Sequence, residues 1–505
     1  MVPNDWLSWR RAYTPQRIAI DCDWDGRSYT YAEMDDRALH TAAQLIADYD
    51  IQPGDRVACL STNRLEYIDL YFACGKIGAV FVPLNHRLPS AAILEMLNDS
   101  QPSTFFYETA LGAVAQAVKS TSVVRDVVAI ESLGQMVGDA SSVVGHRAQE
   151  SETAMLLYTS GTTGRPKGAM ISWGQIHWNA FNTILGLQMT EDDAAFLNMP
   201  LYHTGGWHVL FTPLMLLGGR VILQKKFDAG RCNERLGPGR ISILFGVPTM
   251  LRMMSEAENF IEADFRRVRF AICGGEPCPL PLIEMYRQRG VAIRQGYGLT
   301  EAGPNCFSLP AEDAIRKQGS IGFPNFFVEA RIADDHDVDV EHGQVGELMM
   351  RGPHVFSGYW RNEVETSQTL RDGWIATGDL MTRDEEGYYF VVGRKKDMYI
   401  SGGENVYPAQ VERVLEQHGS VAKAAVVGVP HTKWGEVGWA FVRRHSKHDL
   451  EAEELASWCR TQLAGYQCPE RILFVPELPV GHSGKIDKLE LRQRAIRMQR
   501  EGDSP

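Results

Sequence analysis

Residues 158–170 read YTSGTTGRPKGAM and follow the apolar run Ala154, Met155, Leu156 and Leu157. Small residues such as Gly161 and Gly164 let backbone N–H groups come close to an anion. The hydroxyls of Thr159, Ser160, Thr162 and Thr163 add donors, and Lys167 adds charge. Together they make a concavity suited to a polyphosphate. The commonest phosphate loop has glycine directly before its lysine and Ser or Thr directly after. Here Pro166 precedes Lys167 and Gly168 follows, so this is a loop of another kind. Trp173, Ile176, Ala180 and Ile184 share one helical face after it, which predicts a helix from near Ser172 and a loop between strand and helix.

The elements that must carry this loop are legible on either side. Thr30 to Glu33 spells a capping box for a helix running through Leu45. RVACL (56–60) and AVFVPL (79–84) read as strands, and the segment 64–78 between them as a helix ending near a glycine. Strand–helix–strand alternation predicts a parallel sheet with helices on its faces. The pattern resumes after residue 151 and runs to about 300. From 320 to 395 short strands such as GELMMRG and GYYFVVG lie between Gly, Asp and Asn turns, which predicts a small β-rich subdomain. Beyond 396 come a helix from Pro408 to about Gln417, strands at KAAVVGV and WAFVRR, and a helix near 451–464 with Leu455, Cys459 and Leu463 on one face. The expected architecture is α/β: a large N-terminal domain of mixed sheets with the β-rich subdomain (1–395), then a smaller α+β domain (396–505), which the resemblance described below implies is mobile.

Composition narrows the partners. A chain of 505 residues exceeds one ordinary domain. Its net charge of −12 argues against general binding to nucleic acid or anionic membranes, so an anionic ligand needs a local cationic site. The nine cysteines are scattered without a CxxC pair, which fits free thiols in a reducing cytoplasm better than a disulfide frame or a zinc site. No run of about 18 apolar residues predicts a membrane span.

Six segments, in order, carry a resemblance to a known family. YTSGTTGRPKGAM, PLYHTGG (200–206), QGYGLTEAG (295–303), GWIATGDL (373–380), GRKKDMYISGGENVYP (393–408) and GHSGKIDK (481–488) resemble the motifs of the AMP-forming adenylating enzymes. These include the acyl-CoA synthetases, adenylation domains and firefly luciferase. The resemblance covers roughly residues 10–495. It implies a two-step reaction: a carboxylate attacks the α-phosphorus of ATP to give an acyl-adenylate and pyrophosphate, and a thiol then expels AMP.

The resemblance also implies roles. Lys485 matches the mobile lysine that bridges the carboxylate and the α-phosphate. Glu301 matches the magnesium ligand, Thr300 the α-phosphate contact and Tyr297 the adenine-stacking ring. Gly274, Gly275 and Glu276 would line the other side of the adenine pocket, and Asp379 and Arg394 would hold the ribose. His203 would guard the passage between the pantetheine tunnel and the acyl pocket, and Lys396 would be the hinge between domains. Gly402 and Gly403 would line the pantetheine tunnel, with Trp434 stacking on the CoA adenine. The expected acyl pocket draws on Trp207, Phe245, Gly246, Gly298, Gly303 and Cys306. Expected ligands are thus ATP, Mg2+, CoA and a carboxylic acid; a homodimer is compatible with the resemblance.

Departures concern the acceptor and the acid. Many relatives read Y-K-x-P-K where this chain has YQCPE, so Cys468 and Glu470 replace cations, and Val480 stands where Arg or Lys is common. These changes remove positive charge along the expected CoA and phosphate paths. PLYHTGGW, FGVPTM and GENVYPAQVE look most like medium- to long-chain fatty acyl-CoA synthetases, with feruloyl- and other aryl-CoA synthetases as the alternative. A unit that loads a carrier protein, a luciferase-like oxygenase and a nucleotide-binding regulator without catalysis are the further rivals.

Overall fold

The computed structural model describes residues 4–121, 123–135, 140, 143–160, 166–276, 278–445, 450–481 and 486–501. It divides into two compact units, Met1–Ala330 with Met350–Ile375, and Arg331–Met349 with Ala376–Pro505. The β-rich segments 331–349 and 376–395 therefore belong with the C-terminal residues, and Lys396 lies inside the second unit.

In the first unit a six-stranded sheet has the order Asp126–Ala129, Thr104–Tyr107, Arg56–Leu60, Val80–Leu84, Thr153–Ser160 and Pro166–Ser172. The pairs are parallel up to Thr153–Ser160, as the strand–helix alternation predicts, and the last pair is antiparallel. Thr30 caps the helix Tyr31–Tyr49 through a complete capping box. The helix Leu65–Ile77 stops at Gly78, whose φ of 76° is the left-handed conformation glycine adopts without strain. A four-stranded sheet joins Ser28–Thr30, Ile18–Cys22, Arg220–Leu223 and Ala194–Leu197. A third group pairs Ile243–Gly246, Phe270–Cys273 and Ala292–Leu299 in parallel, then turns antiparallel through Gly303–Ser308 and Ser320–Pro324.

The phosphate-loop motif sits differently from expectation. Thr159 pairs with Lys167 and Ser160 with Pro166, so the motif bends back as a hairpin between two strands. The helix Trp173–Leu187 starts only after the second strand, capped by Ser172. Local composition marks a turn but does not say which element follows it. Of the motif, Gly161, Thr162, Thr163 and Gly164 lie outside the described residues, as does Lys485.

In the second unit, Val421–His431 and Gly435–Arg444 form a long antiparallel pair, and the other edge of Gly435–Arg444 carries Tyr399–Ser401 with Glu404–Val406 at its start and Arg471–Phe474 further along. The helices Pro408–Glu416 and Ala452–Arg460 bury Val411, Leu415, Leu455 and Cys459 in one core with Val426 and Ala440. All nine cysteines are free thiols, eight of them buried.

One buried imidazole in the first unit leaves a signature on stability. His208 is 3 % exposed; its Nδ1 lies 3.4 Å from the Thr212 hydroxyl and its Nε2 has no protein partner among the described residues. Burial pushes its pKa down to about 3. The unfolded imidazole takes up a proton near its ordinary value of about 6.5, so acid favours the unfolded chain through the window between the two. Unfolding free energy should fall by about 1.4 kcal/mol per pH unit between roughly pH 6 and 4 on this account. The His208→Gln variant should show a correspondingly shallower loss of melting temperature over that range; an unchanged acid limb would contradict it.

Candidate active site

Lys167 is positioned by the strand Pro166–Ser172, which is bonded on both edges. On one side lies Thr153–Ser160. On the other, residues 357–360 run antiparallel: the Trp360 N–H donates to Gly168 O at 2.7 Å and the Met170 N–H to Gly358 O at 2.9 Å. Tyr158 anchors the strand before the loop, its hydroxyl donating to Asp99 Oδ2 at 2.6 Å.

This three-stranded seat brings two acidic groups to the motif. The Lys167 ammonium lies 2.5 Å from Glu365 Oε2 and 5.5 Å from the centre of the Tyr359 ring. The Tyr359 hydroxyl donates to Glu301 Oε1 at 2.9 Å, and the Thr159 hydroxyl approaches the same oxygen at 3.3 Å. Burial first, and then the charge and hydrogen bond of Glu301, raise the Tyr359 pKa. The phenol therefore keeps its proton and acts as a donor. The backbone fixes the same geometry, since the Phe356 N–H donates to Glu301 O at 2.8 Å. Tyr359 and Glu365 were not legible as site residues. They lie about two hundred positions from Lys167 in the chain, and only the edge pairing at Gly168 and Met170 brings them to it.

Thr300 and Glu301 occupy a short 3-10 turn directly after the strand Ala292–Leu299, which carries Tyr297. The Thr300 carbonyl accepts from Gln175 Nε2 at 2.9 Å. Tyr297 is half-buried and meets Phe307 edge-on. Gly274 follows the strand Phe270–Cys273, and a Cβ there would meet nothing nearer than 3.8 Å. Gly275 needs its φ of 83°. His203 is exposed and caps the helix Thr204–His208, its Nδ1 accepting from the Gly205 N–H at 3.0 Å.

The expected acyl-pocket set separates into surface and core. Phe245 is half-buried, and its ring lies 3.8 Å from where a Cβ on Gly205 would be and 4.0 Å from one on Gly274. It thus stands between the acyl and adenine motifs. Trp207 does not line a pocket. Its indole is fully buried against Tyr71, Tyr67, Phe81 and Phe211, and its N–H donates to Leu201 O. Cys306 is likewise sealed, with Ala302 O and Gly303 O each 3.1 Å from its sulfur. Gly298 is small because a Cβ would fall 2.3 Å from the Pro304 carbonyl carbon, and Gly303 because one would press on Asn179 at 2.7 Å. At Gly246 a Cβ would lie 3.3 Å from Met250.

In the second unit Asp379 and Arg394 face each other across paired strands, with Arg394 Nε 2.6 Å from Asp379 Oδ1. Asp379 is buried, and its N–H donates to the Thr377 hydroxyl. Lys396 is exposed in the 3-10 turn Lys395–Asp397. Gly402 and Gly403 form the two-residue turn between Tyr399–Ser401 and Glu404–Val406, with φ of 61° and 90°. That tight hairpin turn itself calls for positive φ at both positions. Trp434 is exposed, with the Lys433 ammonium 4.4 Å from its ring centre.

A divalent ion fits Glu301 in one way. Among the described residues no group of three or more His, Cys, Asp or Glu side chains gathers for a metal. A single oriented carboxylate completed by phosphate oxygens is how Mg2+ is commonly held beside nucleotides.

Comparisons with known proteins identify the family. The family model "AMP-binding enzyme" matches residues 7–360, and "AMP-binding enzyme C-terminal domain" matches 410–485. A feruloyl-CoA synthase of Amycolatopsis sp is 39 % identical over 491 residues, covering 97 % of this chain and 98 % of that one. An indoleacetate–CoA ligase of Aromatoleum aromaticum is 35 % identical, covering 98 % of each. The o-succinylbenzoate CoA synthetase of Bacillus subtilis, solved with its acyl-adenylate intermediate, superposes with a TM-score of 0.89 at 32 % identity, covering 97 % of this chain and 98 % of that one.

The hydrogen bond from Tyr359 to Glu301 gives a direct test. Tyr359→Phe removes one donor to a charged oxygen, worth about 1.5 kcal/mol or more. Binding of ATP in the presence of Mg2+ should weaken about tenfold by titration calorimetry, with the melting temperature little changed. Unaltered affinity would contradict the role given to this bond.

Proposed function

The chain belongs to the AMP-binding enzyme family, and we propose that it is an AMP-forming ligase that joins an aromatic carboxylic acid to coenzyme A at the expense of ATP. The observation that carries this reading is full-length similarity to aryl-CoA ligases together with the Lys167, Thr159 and Glu301 cluster. The expectation of a medium- to long-chain fatty acid gives way to the aryl alternative. Ferulate, indoleacetate and succinylbenzoate, the acids in the relatives' names, are all aromatic. Two of the six expected pocket residues, Trp207 and Cys306, offer no surface to a ligand. Phe245 offers a ring against which a flat acid can pack, an arrangement aromatic pairs favour.

The reaction divides into two steps. Lys167 and the hydroxyl of Thr159 receive the β- and γ-phosphates, Thr300 contacts the α-phosphate, and Tyr297 with Gly274, Gly275 and Glu276 encloses the adenine. Glu301 would hold Mg2+, which would offset polyphosphate charge. Asp379, oriented by Arg394, accepts from the ribose hydroxyls. Lys485 bridges the two anions in the first step, the kind of preorganised charge that supplies much of a barrier's reduction. In the second step the chain pivots at Lys396, dividing functionally as 1–395 and 396–505, and the Gly402–Gly403 turn, Trp434 and His203 serve the thiol. Among the described residues no helix is long and apolar enough to cross a membrane. A cytoplasmic location is part of the proposal, supported by nine free cysteines, and so is a homodimer, which rests on the resemblance alone.

CoA-dependent AMP release should be measured with ferulate, 4-coumarate, cinnamate, benzoate, indoleacetate and straight-chain acids from C2 to C16. The best aryl acid should exceed the best straight-chain acid at least tenfold in kcat/KM. A straight-chain acid that matches or exceeds every aryl acid would overturn the aryl assignment.

A further inference from the structure

We infer that Glu365 is the resident counter-ion of Lys167 and acts as a positioning residue that hands the lysine to polyphosphate and takes it back when pyrophosphate leaves. The inference rests on the reading of this loop as the ATP site and adds to it a residue outside the phosphate-loop motif. The ammonium and the carboxylate are 2.5 Å apart, with side chains only 10 % and 24 % exposed. A pair this sheltered is little screened by salt.

Glu365 is held where it is for reasons independent of Lys167. It sits in the helix Glu363–Thr369, and its N–H donates to the capping Asn362 side chain at 3.1 Å. The Tyr359 N–H donates to the Thr366 hydroxyl at 2.9 Å, which ties that helix to the strand segment beneath Lys167. The carboxylate is therefore a fixed reference, and the long lysine side chain is the partner free to swing. Tyr359 supports both charges, with its face toward Lys167 and its hydroxyl on Glu301.

The charge arithmetic makes the pair consequential. A lysine neutralised by Glu365 adds little net positive charge to a site that must accept a polyphosphate. Binding therefore has to loosen the pair, and part of the attraction is spent in doing so. The same competition speeds the reverse event, since Glu365 recaptures the ammonium as pyrophosphate departs. Affinity for pyrophosphate is thereby held down, which favours product release over re-formation of ATP.

Titration calorimetry of the full-length protein with inorganic pyrophosphate and MgCl2 tests this. Glu365→Gln removes the competing charge and should tighten binding by roughly three- to tenfold, the scale of a partly sheltered ion pair. Glu365→Asp keeps the charge and should stay within about twofold of the unaltered protein. The gain should vanish when Glu365→Gln is placed in a Lys167→Met background, because the effect acts through the lysine. Glu365→Ser provides a second neutral substitution should Glu365→Gln fold poorly. Weaker or unchanged binding in the neutral variants would overturn the inference, since a merely structural role predicts that result. An equal gain without Lys167 would also overturn it. Failure of the unaltered protein to bind pyrophosphate at all would overturn the polyphosphate reading and this inference with it.

Discussion

A carboxylate can approach a polyphosphate only where fixed positive charge outweighs their repulsion, and this chain carries a net charge of −12. Three cations in or beside the motifs are each held against a carboxylate. Lys167 rests on Glu365, Arg394 on Asp379, and Lys395 on Asp335 and Glu347. The first two pairs are set by strand geometry. The edge pairing at Gly168 and Met170 delivers Glu365 to Lys167, and the register of Asp379 opposite Arg394 creates the second pair. Charge is thus present before any ligand arrives, oriented and largely neutralised.

Much of the fold was legible because its signals are local. The capping box at Thr30, the glycine stop at Gly78 and the strands at 56–60 and 80–84 each follow from residues within a few positions. The strand after the phosphate loop was not legible. PKGAMIS gives no strong alternation, and its identity as a strand comes from its hairpin partner before the loop and from the distant segment 357–360 on its other edge. The same reason hid Tyr359 and Glu365. A cation in a sheltered place needs an opposite charge, but sequence does not say which of many carboxylates supplies it.

The glycines teach a sharper lesson about reading small residues as space for a ligand. Gly298 and Gly303 are small because backbone and Asn179 crowd them, and Gly402 and Gly403 because a two-residue hairpin turn demands left-handed φ. Gly274 is small beside open space, and Phe245 stands across from it. Trp207 misled in the opposite direction, since an aromatic within the HTGGW motif turned into the aromatic core around Tyr71. The nature of the acid was therefore the least legible property. It depends on which way a few side chains point, whereas the nucleotide motifs depend on residue identity and spacing.

The account's central claim is that this charge arrangement makes an acyl-adenylate before any thiol takes part. Exchange of labelled pyrophosphate into ATP, measured with ferulate present and CoA omitted, tests that claim most directly. The account predicts exchange that requires both the acid and Mg2+ and proceeds without CoA, with AMP released in quantity only once CoA is added. Thioester formation with no pyrophosphate exchange in the absence of CoA, or exchange indifferent to the acid, would contradict it.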